Sequence, residues 1–152
     1  MNRRRALIGL FVVAVIAVVG VASFTLVADQ QWNRHGGVRF GADLDAAQDR
    51  AAAADRPLVV YFWGERCGAC EEFDERIADT PALRSALESF ERASVSTDEA
   101  GGREAMDRYG VSLTPTLVVT TPAGEPVEVL YPANTSALTE TLRAAEQEAR
   151  TR

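Results

Sequence analysis

Lysine is missing altogether from the 152 residues: every one of the 16 basic residues is arginine, set against 22 Asp and Glu for a net charge of −6. That acidic balance argues against binding to nucleic acid or to an anionic membrane surface, and for a well-solvated exterior. Histidine occurs once, as His35, and cysteine twice, as Cys67 and Cys70. A structural zinc site takes about four ligands, and with His35 as the sole further candidate the pair falls short. Haem attachment would place a histidine directly after the second cysteine, where this chain has Glu71. Copper carriage by the two thiols lacks a nearby His or Met. No metal and no cofactor are expected. Internal repeats and low-complexity tracts are also lacking, apart from the short run 51–54 of alanines.

What the chain does have is one long stretch without charge. Ala6 to Ala28 is 23 residues, about 34 Å as a helix at ~1.5 Å per residue, enough to cross a bilayer. Arg3, Arg4 and Arg5 precede it, whereas Asp29 follows and the next basic residue is Arg34. The positive-inside bias therefore puts residues 1–5 in the cytoplasm and everything after Ala28 outside. A cleaved signal peptide competes, since Leu26-Val27-Ala28 and Val21-Ala22-Ser23 loosely fit a cleavage site, but secretory apolar cores run about 7 to 15 residues. Arg4-Arg5 also loosely fits a twin-arginine export signal. The expectation is a retained single-pass anchor over 6–28 in the cell membrane, with an extracytoplasmic remainder. Asp29 to Gly37 is polar and ends in a glycine pair, so it reads as a linker. Within it Trp32 is a candidate interfacial aromatic and His35 a solvated linker residue.

From Val38 the pattern alternates. Val38-Arg39-Phe40 reads as a short edge strand, and Asp43 caps a helix over Leu44 to Ala54 that Arg56-Pro57 stops. Leu58 to Trp63 is a short apolar run suited to a strand covered on both faces. A helix begins at the cysteines and reaches about Ala78, with Phe73 and Ile77 on its buried side. Thr80-Pro81 starts another, with Leu83 and Leu87 as its apolar face. Phe90 to Thr97 alternates as a strand, Arg103 to Tyr109 is a short helix ended by Gly110, and Leu117 to Val119 and Val127 to Leu130 form a hairpin around Pro122–Glu125. Asn134 caps a last helix presenting Leu138, Leu142 and Ala145. Asn134-Thr135-Ser136 also fits the N-glycosylation pattern, although the capping role accounts for it equally. Helices alternating with strands predict an α/β layer fold over 38–150, with a central sheet flanked by helices.

The chemistry lies in Cys67-Gly68-Ala69-Cys70, at the junction between the apolar strand and the next helix. A thiolate, not a thiol, attacks a disulfide. Cys67 falls where the first amides of the helix point outward and its dipole favours negative charge. Arg66 pushes the same way, while Glu65, Glu71 and Glu72 oppose it. Cys70 lies one turn on and inward, within reach to resolve a mixed disulfide. Cys67 is thus the expected nucleophile and Cys70 the resolving thiol. A purely structural clip closing so small a loop would restrain little chain entropy.

Val59-Val60-Tyr61-Phe62-Trp63-Gly64-Glu65-Arg66-Cys67-Gly68-Ala69-Cys70, then Tyr109-Gly110-Val111, then Thr114-Pro115-Thr116, resembles the thioredoxin family in order and spacing. The upstream alanine-rich helix ending in Arg56-Pro57 looks most like thioredoxin-like domains of the bacterial envelope. The resemblance covers about Val38 to Glu148. It implies a thioredoxin-like mixed sheet, a cis Pro115 standing against the cysteines, and substrate contact at Thr114, Pro115 and Trp63, with Thr114 offering its backbone to a substrate strand. It also implies a redox-active disulfide Cys67–Cys70 exchanging with protein thiols and disulfides, and a membrane redox partner. Thioredoxin itself carries a buried Asp where this chain has Tyr61, a Trp where it has Arg66, and a Pro where it has Ala69. Tyr61, Arg66 and Glu65 are therefore expected to tune the pair, with the missing buried proton acceptor supplied by Glu65, Glu71 or water. A non-catalytic module with a permanent disulfide is the rival reading.

Overall fold

The structure, a computed structural model, describes residues 32–152. The expected cytoplasmic segment 1–5 and apolar span 6–28 lie outside the described residues. Among the described residues no helix is long and apolar enough to cross a membrane.

Six strands form one mixed sheet in the order β1-β2-β4-β3-β5-β6: β1 (Trp32–His35), β2 (Val38–Gly41), β3 (Leu58–Trp63), β4 (Glu91–Ser96), β5 (Thr116–Thr120) and β6 (Pro126–Leu130). Among the described residues five helices cover it: α1 (Leu44–Ala54), α2 (Gly68–Asp79), α3 (Pro81–Glu88), α4 (Gly102–Tyr109) and α5 (Thr135–Thr151). β3 runs parallel to β4 and antiparallel to β5, so it is central and pairs on both sides. This is why its six residues are almost uniformly apolar. Val59 and Tyr61 face one core layer with Phe73, Ile77, Leu83, Leu87 and Leu142. Leu58, Val60 and Phe62 face the other with Ala47, Ala51, Tyr109 and Val118.

Local signals act where the sequence puts them. Asp43 accepts from the Ala46 amide at 2.9 Å and Asn134 from the Ala137 amide at 3.0 Å, each capping its helix. Pro81 occupies the first turn of α3, and Gly110 ends α4 at φ 67°.

The linker expectation for 29–37 is corrected in its described part. Residues 32–35 are a strand, paired antiparallel with β2 through a two-residue turn. Gly36 and Gly37 both take positive φ, 55° and 83°, the conformation that a tight hairpin turn demands. The glycine pair is thus a turn inside the sheet, and the domain extends N-terminally of Val38. The guanidinium groups of Arg39 and Arg50 lie over the Trp32 ring, 4.7 and 5.0 Å from its centre. His35 is not a solvated linker residue: it is 5% exposed, at the foot of this hairpin.

Candidate active site

β3 ends at Trp63 and α2 begins at Gly68, with Cys67 as its N-cap residue in extended conformation. Cys67 and Cys70 are joined in a disulfide, their Cα atoms 5.2 Å apart. The Cys67 sulfur accepts the Cys70 amide at 3.1 Å and the Thr114 hydroxyl at 3.4 Å. Hydrogen-bond donors and the positive end of the helix thus converge on one sulfur, the arrangement that favours a thiolate when the pair is reduced. Cys67 is partly exposed, and Cys70, at 4% exposure, is buried on the face of α2 that carries Phe73 and Ile77.

The substrate-side expectations divide. The Thr114–Pro115 bond is cis, Pro115 is buried, and Thr114 before it donates to the Cys67 sulfur. Thr114 and Pro115 line a surface groove of about 260 Å³ together with Ala69, Arg76, Leu113 and Tyr131. Leu113 and Tyr131 are 50% and 49% exposed, unusual for large apolar side chains. Trp63 is not in this groove. It lines a second cavity, of about 270 Å³, with Cys70, His35, Tyr61 and Asp74.

The tuning residues divide likewise. Arg66 is exposed, so solvent screens its charge from the sulfur. Glu65 is exposed as well, and its backbone amide donates to Asp98 at 2.7 Å. Tyr61 is fully buried, and burial first and the nearby Asp74 carboxylate second raise its phenol above the ordinary value, so it stays protonated. Two residues to which the sequence pattern gives no catalytic role stand in this inner cavity. His35 Nδ1 lies 3.0 Å from Asp74 Oδ2. Asp74 follows Cys70 by four residues, hence lies on the same helix face, and the glycine pair after His35 was the hairpin signal that could have located the histidine.

A dithiol pair at a strand-to-helix junction, one sulfur exposed and polarised and the other buried, defines a thiol-disulfide oxidoreductase. Known proteins agree. Residues 44–145 match the family described as thioredoxin-like domain. The chain is 28% identical over 89 residues to the thiol:disulfide interchange protein DsbD of Pseudomonas fluorescens, a match covering 57% of this chain and 15% of that protein. A thioredoxin from Thermus thermophilus is similar in structure, with TM-score 0.59 and 34% identity over 70% of this chain and 84% of that one. The reduced C-terminal domain of DsbD from Neisseria meningitidis has TM-score 0.58 at 20% identity, covering 67% of this chain and 93% of that one, a likeness of fold. The chain belongs to the thioredoxin-like domain family.

Proposed function

We propose that this chain exchanges disulfides with protein substrates on the outer side of a membrane, to which residues 6–28 anchor it. The observation that carries the exchange chemistry is the convergence of the Cys70 amide and the Thr114 hydroxyl on the Cys67 sulfur. In the dithiol form the Cys67 thiolate attacks a substrate disulfide, forming a mixed disulfide and releasing one substrate thiolate. Cys70 loses its proton and attacks the Cys67 sulfur. The intramolecular disulfide forms, the second substrate thiolate leaves, and two electrons have passed to the substrate. No cofactor takes part.

Thr114 offers its backbone to an extended substrate segment, and Leu113 and Tyr131 supply apolar contact beside it. The DsbD relative is by name a thiol:disulfide interchange protein, which supports exchange; the reducing or isomerising direction is part of this proposal. An outward compartment lacks the cytosolic thiol pool, so a dithiol protein in the membrane must re-reduce the pair.

Insulin reduction by the full chain tests the chemistry. Cys67→Ser abolishes it, and activity surviving in that variant removes the assignment. A potential far below about −300 mV would instead mark the disulfide as an inert clip. For placement, a membrane-impermeant thiol reagent should label reduced Cys67 in intact cells; labelling only after lysis would remove the outward orientation.

A further inference from the structure

The inner cavity gathers chemistry that attack by Cys67 on a substrate leaves without a role. Four buried polar atoms there have no hydrogen-bond partner among the described residues: His35 Nε2, Tyr61 Oη, Trp63 Nε1 and Asp74 Oδ1. All four residues share the cavity with the resolving residue Cys70. Native interiors rarely concentrate unpaired groups in this way without a use for them.

The tautomer is set by the geometry. An ionised carboxylate only accepts, so at 3.0 Å from Asp74 Oδ2 it is His35 Nδ1 that carries the hydrogen. In the neutral ring Nε2 is then a free lone pair. The ring is fixed from every side, edge-on to Tyr61 at 4.7 Å, to Trp63 at 5.1 Å and to Phe40 at 5.5 Å between centres. Gly36 clamps the hairpin to the active-site helix, since a Cβ there would overlap the Asp74 carbonyl oxygen and Ile77 Cβ.

We propose that His35 is the proton acceptor for the Cys70 thiol, a role that rests on the exchange function proposed for this site, and that Asp74 is the positioning residue that holds its ring with Nε2 free. The Cys70 S–H bond breaks, its proton passes to Nε2 directly or through one water, and the sulfur electron pair attacks Cys67 in the mixed disulfide. The imidazolium so formed is stabilised by Asp74 and releases its proton to solvent, from which the departing substrate thiolate takes one up. In the opposite direction the same ring protonates Cys70 as it leaves.

Other ionisable groups face the ring or its cavity: Asp74 and Glu71 from α2, Tyr61 from β3, Glu65 from the loop, and Arg34 from its own strand. Arg76 lies one turn beyond Glu72 on α2 and acts on Tyr61. Glu65 and Glu71 are exposed and compete with solvent, and Tyr61 holds its proton. An imidazole, with an ordinary value near 6.5, matches proton exchange at neutral pH better than a carboxylate near 4.

An ordinary thiol is only about 3% ionised at pH 7, so a base that removes its proton gains at most about thirtyfold. The test uses the full chain carrying a preformed mixed disulfide on Cys67 with a chromophoric thiol. His35→Gln should slow release of that thiol ten- to thirtyfold at pH 7, with the deficit closing towards pH 9. Alkylation of Cys67 should stay within twofold of wild type. Asp74→Asn should show a smaller deficit with the same pH trend. Unchanged release and an unchanged pH profile in His35→Gln would overturn the proposal.

Because His35 is the only histidine in the chain, its ring can also be followed by NMR in the wild type, free of any folding defect in a variant. Its titration curve should differ between the dithiol and disulfide forms, and superimposable curves would equally overturn the proposal. If the wild type reduces no disulfide at all, the exchange function fails on that result alone, while the NMR comparison still reports on His35.

Discussion

The two sulfurs of one disulfide live in different surroundings. Cys67 is bonded by the hydroxyl of Thr114, which lines the groove with Leu113, Pro115 and Tyr131, and by the backbone amide of Cys70. Cys70 looks inward, onto a cavity walled by His35, Tyr61, Trp63 and Asp74. The outer side is suited to gripping a partner, the inner side to moving a proton. One cysteine pair can do both because the N-cap of α2 faces solvent and its third residue faces the core.

Variants can break this division, the most drastic first. Cys70→Ser should leave the outer side competent and the inner side useless. Attack by Cys67 persists, turnover stops, and substrates accumulate as mixed disulfides visible on non-reducing gels. Gly36→Ala should displace the hairpin from α2, because the added Cβ meets the Asp74 backbone and Ile77 at a positive φ. A loss of about 2 kcal/mol is expected from strain and overlap together, read as a lower denaturant midpoint, along with slower resolution. Leu113→Asp touches the groove alone and should raise KM for a protein substrate several-fold, about 1 kcal/mol of apolar contact, with resolution of a preformed mixed disulfide unchanged.

Tyr61→Phe should have the smallest effect. It removes a buried hydroxyl that has no hydrogen-bond partner among the described residues, so stability at pH 7 should change by less than about 1 kcal/mol. The alkaline limb is more telling. The folded chain holds the phenol proton more tightly than the unfolded chain, so stability is fully present below about pH 10 and is lost as pH climbs beyond it. The variant should lose less over that range in a pH series of denaturation midpoints.

Cys67, Cys70, Thr114, Pro115 and Tyr61 could be singled out in the sequence, whereas His35 and Asp74 of the inner cavity could not, for a physical reason. Cys67, Thr114 and Pro115 sit at a strand end and at the entry to another strand, positions that local patterning marks out. The run Leu58–Trp63 and the caps at Asp43 and Asn134 likewise announce their elements through period and chemistry. His35 and Asp74 are 39 residues apart and meet only because β1 folds back on β2 and packs against α2. Trp32-Asn33-Arg34-His35 has no apolar alternation, and its polar composition reads as linker. Its strand state comes from pairing with β2 and from the glycine turn, a tertiary cause that no local propensity carries. Trp63, expected at the substrate edge, faces inward instead, because side chains along β3 alternate and it shares the face of Val59 and Tyr61.

The ends of the sheet carry a further consequence. Its two outermost strands are β1 and β6, and unpaired strand edges invite edge-to-edge association between molecules. Here both are blunted. β1 is four residues long and holds Arg34, while β6 opens on Pro126 and bears Glu128 at an exposed position. The short, charged margins of this sheet disfavour strand addition at its flanks, and under the proposed function they leave the Thr114 loop as the place for an extended substrate segment.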